Sequence, residues 1–132
     1  MRQVLNSSAL VALIHKQAGH DYVYRLIERT QEGEADLYLS ELNYGEILHV
    51  VARTWGIEER EYHRRVLPTL PVTPVPVDRA LIEQGAEIKA LRGGAFLDAI
   101  CAALAERLDA TVVTGDQEFH NYGGLVEIEW LG

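Results

Sequence analysis

A single cysteine, Cys101, occurs in the 132 residues, so no internal disulfide can form and a stapled secreted scaffold is excluded. Prolines number only four and the eleven glycines follow no period, which leaves no collagenous or low-complexity reading. Apolar residues make up 48%, an ordinary globular share, yet no apolar run approaches the roughly 20 residues needed to cross a bilayer. The small-residue cleavage site of a signal peptide is also missing, and Val4–Ile14 is interrupted by Asn6, Ser7 and Ser8. Cations are the minority, 12 against 20 acids, for a net charge of −8. That disfavours a protein that holds nucleic acid by a broad basic surface. It does not exclude an enzyme acting on nucleic acid, because carboxylates clustered around a divalent cation also make a chain acidic. Together these features predict a soluble protein of a reducing cytoplasm, built as one domain over residues 1–132.

What is present is an alternation of β-prone and helical segments. Gln3–Leu5 reads as a short strand, followed by a helix through Ala9–Ile14 that Ser7 or Ser8 would cap. His20–Thr30 places Val23, Leu26 and Ile27 on one helical face. Asp36–Leu39 reads as a strand, Ser40 as an N-cap, and Leu42–Arg53 and Glu58–Leu67 as helices separated by Gly56. Val72–Val77 alternates but holds two prolines, which remove ladder donors and predict a sheet edge. Asp78 caps a helix to about Leu91. After Arg92-Gly93-Gly94 comes the most apolar helix, Ala95–Arg107. Ala110–Val113 reads as a strand, His120–Gly124 as a loop, and Leu125–Leu131 as a last strand. Strands alternating with helices of about ten residues predict an α/β fold: a three-layer α/β/α sandwich on a central, mostly parallel sheet of about five strands.

Most of the acids fall in plainly solvated runs. Three do not. Glu46 and Asp98 lie among apolar positions of their helices, and Asp116 directly follows the strand Ala110–Val113. A carboxylate in apolar surroundings is costly unless it is paired, hydrogen-bonded or bound to metal. In an open parallel sheet, ligands bind beyond the carboxyl ends of the strands, where helix N-termini also lie. Asn6, Glu46, Asp98 and Asp116 are therefore predicted to meet at one edge. Several oxygen ligands there repel one another without a counter-charge. Mg²⁺ or Mn²⁺ is the natural counter-charge, and such a site supports hydrolysis of a phosphodiester.

Four segments carry a resemblance. Val4-Leu5-Asn6-Ser7-Ser8-Ala9-Leu10, Ser40-Glu41-Leu42-Asn43-Tyr44-Gly45-Glu46-Ile47, Leu97-Asp98-Ala99-Ile100-Cys101-Ala102-Ala103-Leu104-Ala105 and Thr111-Val112-Val113-Thr114-Gly115-Asp116-Gln117-Glu118-Phe119 resemble, in order and spacing, the motifs of PIN-domain proteins. Together with the length, they resemble the single-domain VapC-like toxins of type II toxin–antitoxin pairs. The resemblance implies a PIN-like fold and a Mg²⁺- or Mn²⁺-dependent endoribonuclease that leaves 5′-phosphate and 3′-hydroxyl ends. It implies an RNA substrate, a homodimer, and a small antitoxin partner whose tail blocks the active site. By the same resemblance Glu46, Asp98 and Asp116 are metal ligands, Glu118 is an outer ligand or a positioner of one, and Thr114, with Ser7 beside Asn6, supports the cluster.

The sequence departs from the family pattern at two points. Asn6 stands where the family has Asp, which keeps one oxygen but removes a charge and adds an NH₂ donor. An engineered inactivating exchange, a naturally weakened enzyme and a non-catalytic interaction module all fit that substitution. Glu118 replaces the usual Asp, with little expected consequence. Lys89 and Arg92, ahead of Gly93-Gly94, fit either RNA phosphate contacts or a solvated helix end. His15, His20, His63 and His120 share no ligand-like spacing, and the Glu-x-x-His pair Glu46 and His49 lacks the second copy that a di-iron bundle needs. Cys101 reads as a core residue. Tyr22, Tyr24, Tyr44, Trp55 and Tyr62 fit either core packing or a dimer or antitoxin surface, and Trp130 reads as packed. A phosphoacceptor receiver domain, which shares the general architecture, fits poorly because paired acids are missing after the first strand.

Overall fold

The computed structural model describes residues Met1–Gly132. Five strands, β1 (Arg2–Leu5), β2 (Asp36–Ser40), β3 (Val72–Val75), β4 (Thr111–Thr114) and β5 (Ile128–Trp130), form one sheet. Between them lie α1 (Ser7–Ile14), α2 (His20–Gln31), α3 (Glu41–Trp55), α4 (Ile57–Val66), α5 (Arg79–Arg92) and α6 (Phe96–Leu108), with short 3₁₀ turns at Leu67–Thr69 and Gln117–Tyr122. The strand order is β3-β2-β1-β4-β5 and every pairing is parallel. The expected three-layer sandwich is therefore present, with its sheet parallel throughout. A receiver domain would order its strands 2-1-3-4-5, so the topology excludes that reading.

The pleat explains why both sheet faces carry a core. Val4 of β1 and Val112 of β4 point to one side, into a cluster with Leu81, Ile88 and the run Ala99–Ala105. Their neighbours Leu5 and Val113 point to the other, against Ala9, Leu10, Val23, Leu26, Ile47 and Val51. Small side chains let α6 sit close to α5. A Cβ on Gly85 would stand only 2.7 Å from Ile100 Cγ1, so glycine there is a packing requirement. The strand β3 pairs only with β2, and Pro74 sits opposite Leu39, as the edge prediction requires.

Two boundaries differ from expectation for identifiable reasons. The cap of α1 is Asn6, not Ser7 or Ser8: its side-chain oxygen accepts from the Ser8 backbone N–H, and the helix already begins at Ser7. The last strand is only Ile128–Trp130. The backbone N–H groups of Leu125 and Val126 both bond to the Tyr122 carbonyl, so the chain is still turning where its alternation reads as strand. Most of the loop expected at His120–Gly124 belongs to the preceding 3₁₀ turn.

A buried polar knot ties α1 to α3. Asn43 Nδ2 donates to Ser7 Oγ at 2.9 Å, and Ser7 Oγ donates to the Asn43 carbonyl at 3.2 Å. Ser40 Oγ donates to Asn43 Oδ1 at 2.7 Å and accepts from the Asn43 N–H at 3.0 Å. All three residues are buried. Truncation by Asn43→Ala removes the donor to Ser7 Oγ and the acceptor of the Ser40 hydroxyl, leaving each hydroxyl only its bond to the residue 43 backbone, and is expected to cost about 2 kcal/mol, read from urea unfolding. A change within about 0.5 kcal/mol would mean the knot is dispensable.

Candidate active site

The topological switch point of the sheet lies between β1 and β4, where connections leave toward opposite sides, and ligand sites form beyond strand ends at such a point. Asn6 follows β1 and Thr114 ends β4, and the Asn6 backbone N–H bonds to the Val113 carbonyl at 3.0 Å. Register thus sets Asn6 beside Thr114. Thr114 Oγ1 donates to Asn6 Oδ1 at 3.3 Å and accepts from the Asp116 N–H at 2.9 Å. Ser8 Oγ donates to the same Asn6 oxygen at 3.1 Å and accepts from the Gly115 N–H at 3.0 Å. The role of Ser8 was not foreseen beyond helix capping. Its signal is the hydroxyl three residues after the end of β1.

Asp116 caps the 3₁₀ turn, accepting from the Glu118 N–H at 2.9 Å, which swings Glu118 back toward the sheet edge. Asp98 enters from the first turn of α6 and is buried. One carboxylate oxygen from each of Asp98, Asp116 and Glu118 falls within 4.8 Å of the others. Glu46, expected as a central member, lies outside that group and is half-buried on α3. Glu118, expected at the periphery, is a member, with a carboxylate oxygen within 4.8 Å of one from Asp98.

Crowded acids raise one another's proton affinity. The Asp98 carboxyl is pushed up to about 8, first by burial, then by the hydrogen bond with Glu118 and the negative charges of Asp116, Glu118 and Glu46. The same field, with burial leading, raises the Tyr122 phenol to about 12. Burial pushes the Cys101 thiol far above its usual range, which fits the core role read from the sequence.

Neither nearby cation neutralises the group. Lys89 Nζ donates to the Gly94 carbonyl, and Arg92 Nη1 donates to the Gly123 carbonyl at 2.8 Å. The first bond holds the break before α6 to α5, and the second ties the end of α5 to the turn that follows Glu118, so both side chains are spent on backbone. Gly94 takes φ +84°, and a Cβ there would run into the Tyr122 hydroxyl. Trp130, expected to be packed, lies flat on His120 with centroids 4.3 Å apart and remains 37% exposed, so an aromatic face stands beside the end of β4.

The donor set suits a hard divalent cation, since carboxylate oxygens converge with no protein counter-charge. Asn6 fits less well. Its oxygen is identified by the Ser8 N–H, so the other branch is Nδ2, which is buried without a partner. An aspartate in that position would present an oxygen there.

A family model described as PIN domain matches residues 4–125. The chain belongs to the PIN-domain family. Among solved structures, VapBC2 of Rickettsia felis bound to a DNA fragment from its promoter matches with TM-score 0.79 at 16% identity, covering 100% of both chains. VapC20 of Mycobacterium tuberculosis, a toxin that cleaves the sarcin-ricin loop, matches at 0.74 and 20% identity over 92% of this chain and 95% of that one. A toxin-antitoxin complex from Klebsiella pneumoniae matches at 0.71 and 15% identity over 96% and 95%. No curated protein sequence matches the chain. This PIN domain therefore shares the VapC-like fold across its length. No helix in it is long and apolar enough to cross a membrane.

Proposed function

We propose that this PIN domain is a Mg²⁺- or Mn²⁺-dependent endoribonuclease and the toxin half of a cytoplasmic toxin–antitoxin pair. The observation that carries the reading is the convergence of Asp98, Asp116 and Glu118 at the switch point with no cation to balance them. Asp98 and Asp116 hold the ion, Glu118 completes its surroundings, and Glu46 adds charge from α3. The ion supplies a lowered pKa for water and neutralisation of phosphate charge. Thr114 and Ser8 hold the Asn6 oxygen and the Asp116 backbone in place. The exposed Trp130 face offers a stacking surface for a base of the RNA. In this proposal residues 1–132 act as one domain that pairs as a homodimer, and the similarity to toxin–antitoxin complexes supports a small antitoxin partner that holds it silent.

The test is cleavage of bulk RNA with Mg²⁺ or Mn²⁺, against EDTA and an Asp116→Asn variant. Cleavage that EDTA and the variant both abolish supports the reading. Cleavage that survives both points to a contaminant. Bound divalent ion without cleavage of any RNA favours the interaction module that Asn6 also fits.

A further inference from the structure

The opposite end of α1 carries a second group of metal-ligating side chains, in a place unrelated to the carboxylate edge. His15 caps the C-terminus of α1, while Glu59 and His63 lie one turn apart on α4. A nitrogen of each histidine and a carboxylate oxygen of Glu59 lie within 4.8 Å of one another. His63 is completely buried, and its Nδ1 lies 2.7 Å from the Glu59 backbone carbonyl. That contact makes Nδ1 the proton-bearing nitrogen and leaves the lone pair on Nε2. The Nε2 atoms of His63 and His15 are both buried with no hydrogen-bond partner. Glu59 Oε2 lies 4.0 Å from His15 Nε2 and 3.9 Å from His63 Nδ1, too far to satisfy either ring. Buried ring nitrogens without partners destabilise a fold, and ordinary packing offers these two no relief.

We propose that His15, Glu59 and His63 form a transition-metal site, with Zn²⁺ the ion its donors select, that clasps the end of α1 to α4. Two imidazole nitrogens and one carboxylate are a Zn²⁺ ligand set with a fourth position left for water. Mg²⁺ and Mn²⁺ prefer all-oxygen surroundings and stay at the carboxylate edge. The hydrogen bond from His63 Nδ1 to a backbone carbonyl is the outer contact that orients a ligating imidazole. Two rearrangements are required. Glu59 Oε2 stands 3.9 Å from His63 Nδ1, the protonated nitrogen, so its carboxylate must swing toward the Nε2 side. The His15 ring is stacked between Trp55, at 3.5 Å and 5°, and His63, at 5.0 Å and 10°. An ion in the plane of one imidazole lies out of the plane of a parallel one, so His15 must turn out of the stack. Trp55, 38% exposed and losing its partner, reports that turn.

The chain stripped by chelator is dialysed against Zn²⁺ with Mg²⁺ in excess, and Co²⁺ serves as the absorbing probe. One Zn²⁺ per chain is expected, unaffected by the Asp98→Asn/Asp116→Asn double substitution and weakened at least tenfold by His15→Gln or by Glu59→Gln. Both substituted residues are partly exposed, and Zn²⁺ is expected to raise the Tm of the parent chain but of neither variant. Co²⁺ should give the strong visible bands of a tetrahedral, nitrogen-containing site. In a Trp130→Phe background, Zn²⁺ should change Trp55 emission. Zn²⁺ uptake that follows the carboxylate substitutions instead, weak octahedral Co²⁺ bands alone, or unchanged Trp55 emission on Zn²⁺ saturation would each overturn the proposal.

Discussion

Asn6→Asp is expected to tighten divalent binding by about 10–100-fold and to raise RNA cleavage by a similar factor. The Asn6 oxygen already accepts from the Ser8 backbone and from two hydroxyls, so an aspartate enters in the same pose. What changes is the other branch. A buried, partnerless NH₂ becomes a carboxylate oxygen, and the local charge falls by one unit beside three acids. Without metal the variant should be less stable than the parent, because a further carboxylate joins an uncompensated group. With metal the order should reverse. Isothermal titration with Mn²⁺ and a cleavage time course measure the two effects. Equal affinity in both chains would place Asn6 outside the ion's reach and move the site away from the end of β1.

Asp98→Asn is expected to act in opposite directions on stability and activity. The Asp98 carboxyl is raised from its ordinary value to about 8 in the folded chain, so between about pH 4 and pH 8 the folded state holds a proton that the unfolded state has released. Its contribution is fully present below about pH 4 and is lost as the pH rises toward 8. The apo protein should therefore lose Tm with rising pH across that window, by on the order of 10 °C. Asp98→Asn should flatten the profile and melt higher than the parent at pH 8, while losing cleavage by about two orders of magnitude or more. In the parent, divalent binding should release close to one proton near pH 7, measurable by titration in buffers of different ionisation enthalpy. A parent and variant with parallel Tm–pH curves would show that the acids at this edge are not crowded in solution.

The conflict between those two outcomes is informative about the fold. Aspartate at position 98 sits in a helix otherwise suited to close packing, with Ala99–Ala105 all buried. Such a carboxylate weakens the apo protein and is tolerable where a ligand repays it. The pairing of Lys89 and Arg92 with backbone carbonyls has the same meaning. Had either cation turned inward, the acids would be ordinary ion-pair partners and the metal reading would lose its physical basis.

Much of this was legible in the residues themselves. The alternation of segments led to the parallel sandwich, prolines placed β3 at an edge, and Ser40 and Asp78 were readable as caps because their side chains sit just before apolar periodic stretches. Asp98 is conspicuous because nine apolar residues, Phe96, Leu97 and Ala99–Ala105, flank it within one helix. Asn6 as a cap was harder to see, since three consecutive residues, Asn6, Ser7 and Ser8, all have cap chemistry and only the end of β1 selects among them.

The sequence by itself determined the layer order, the apolar faces and the four segments that mark a PIN domain, because these depend on local period and residue type. Only the tertiary structure decided which acids touch. The turn after Asp116 brings Glu118 onto Asp98, while the pitch of α3 leaves Glu46 half-exposed beyond them. Nor could spacing join His15 to His63, which belong to different helices and meet only where the ends of α1, α3 and α4 converge. Side-chain chemistry is written residue by residue. Proximity between distant residues is a product of packing, and packing is settled by the whole chain at once.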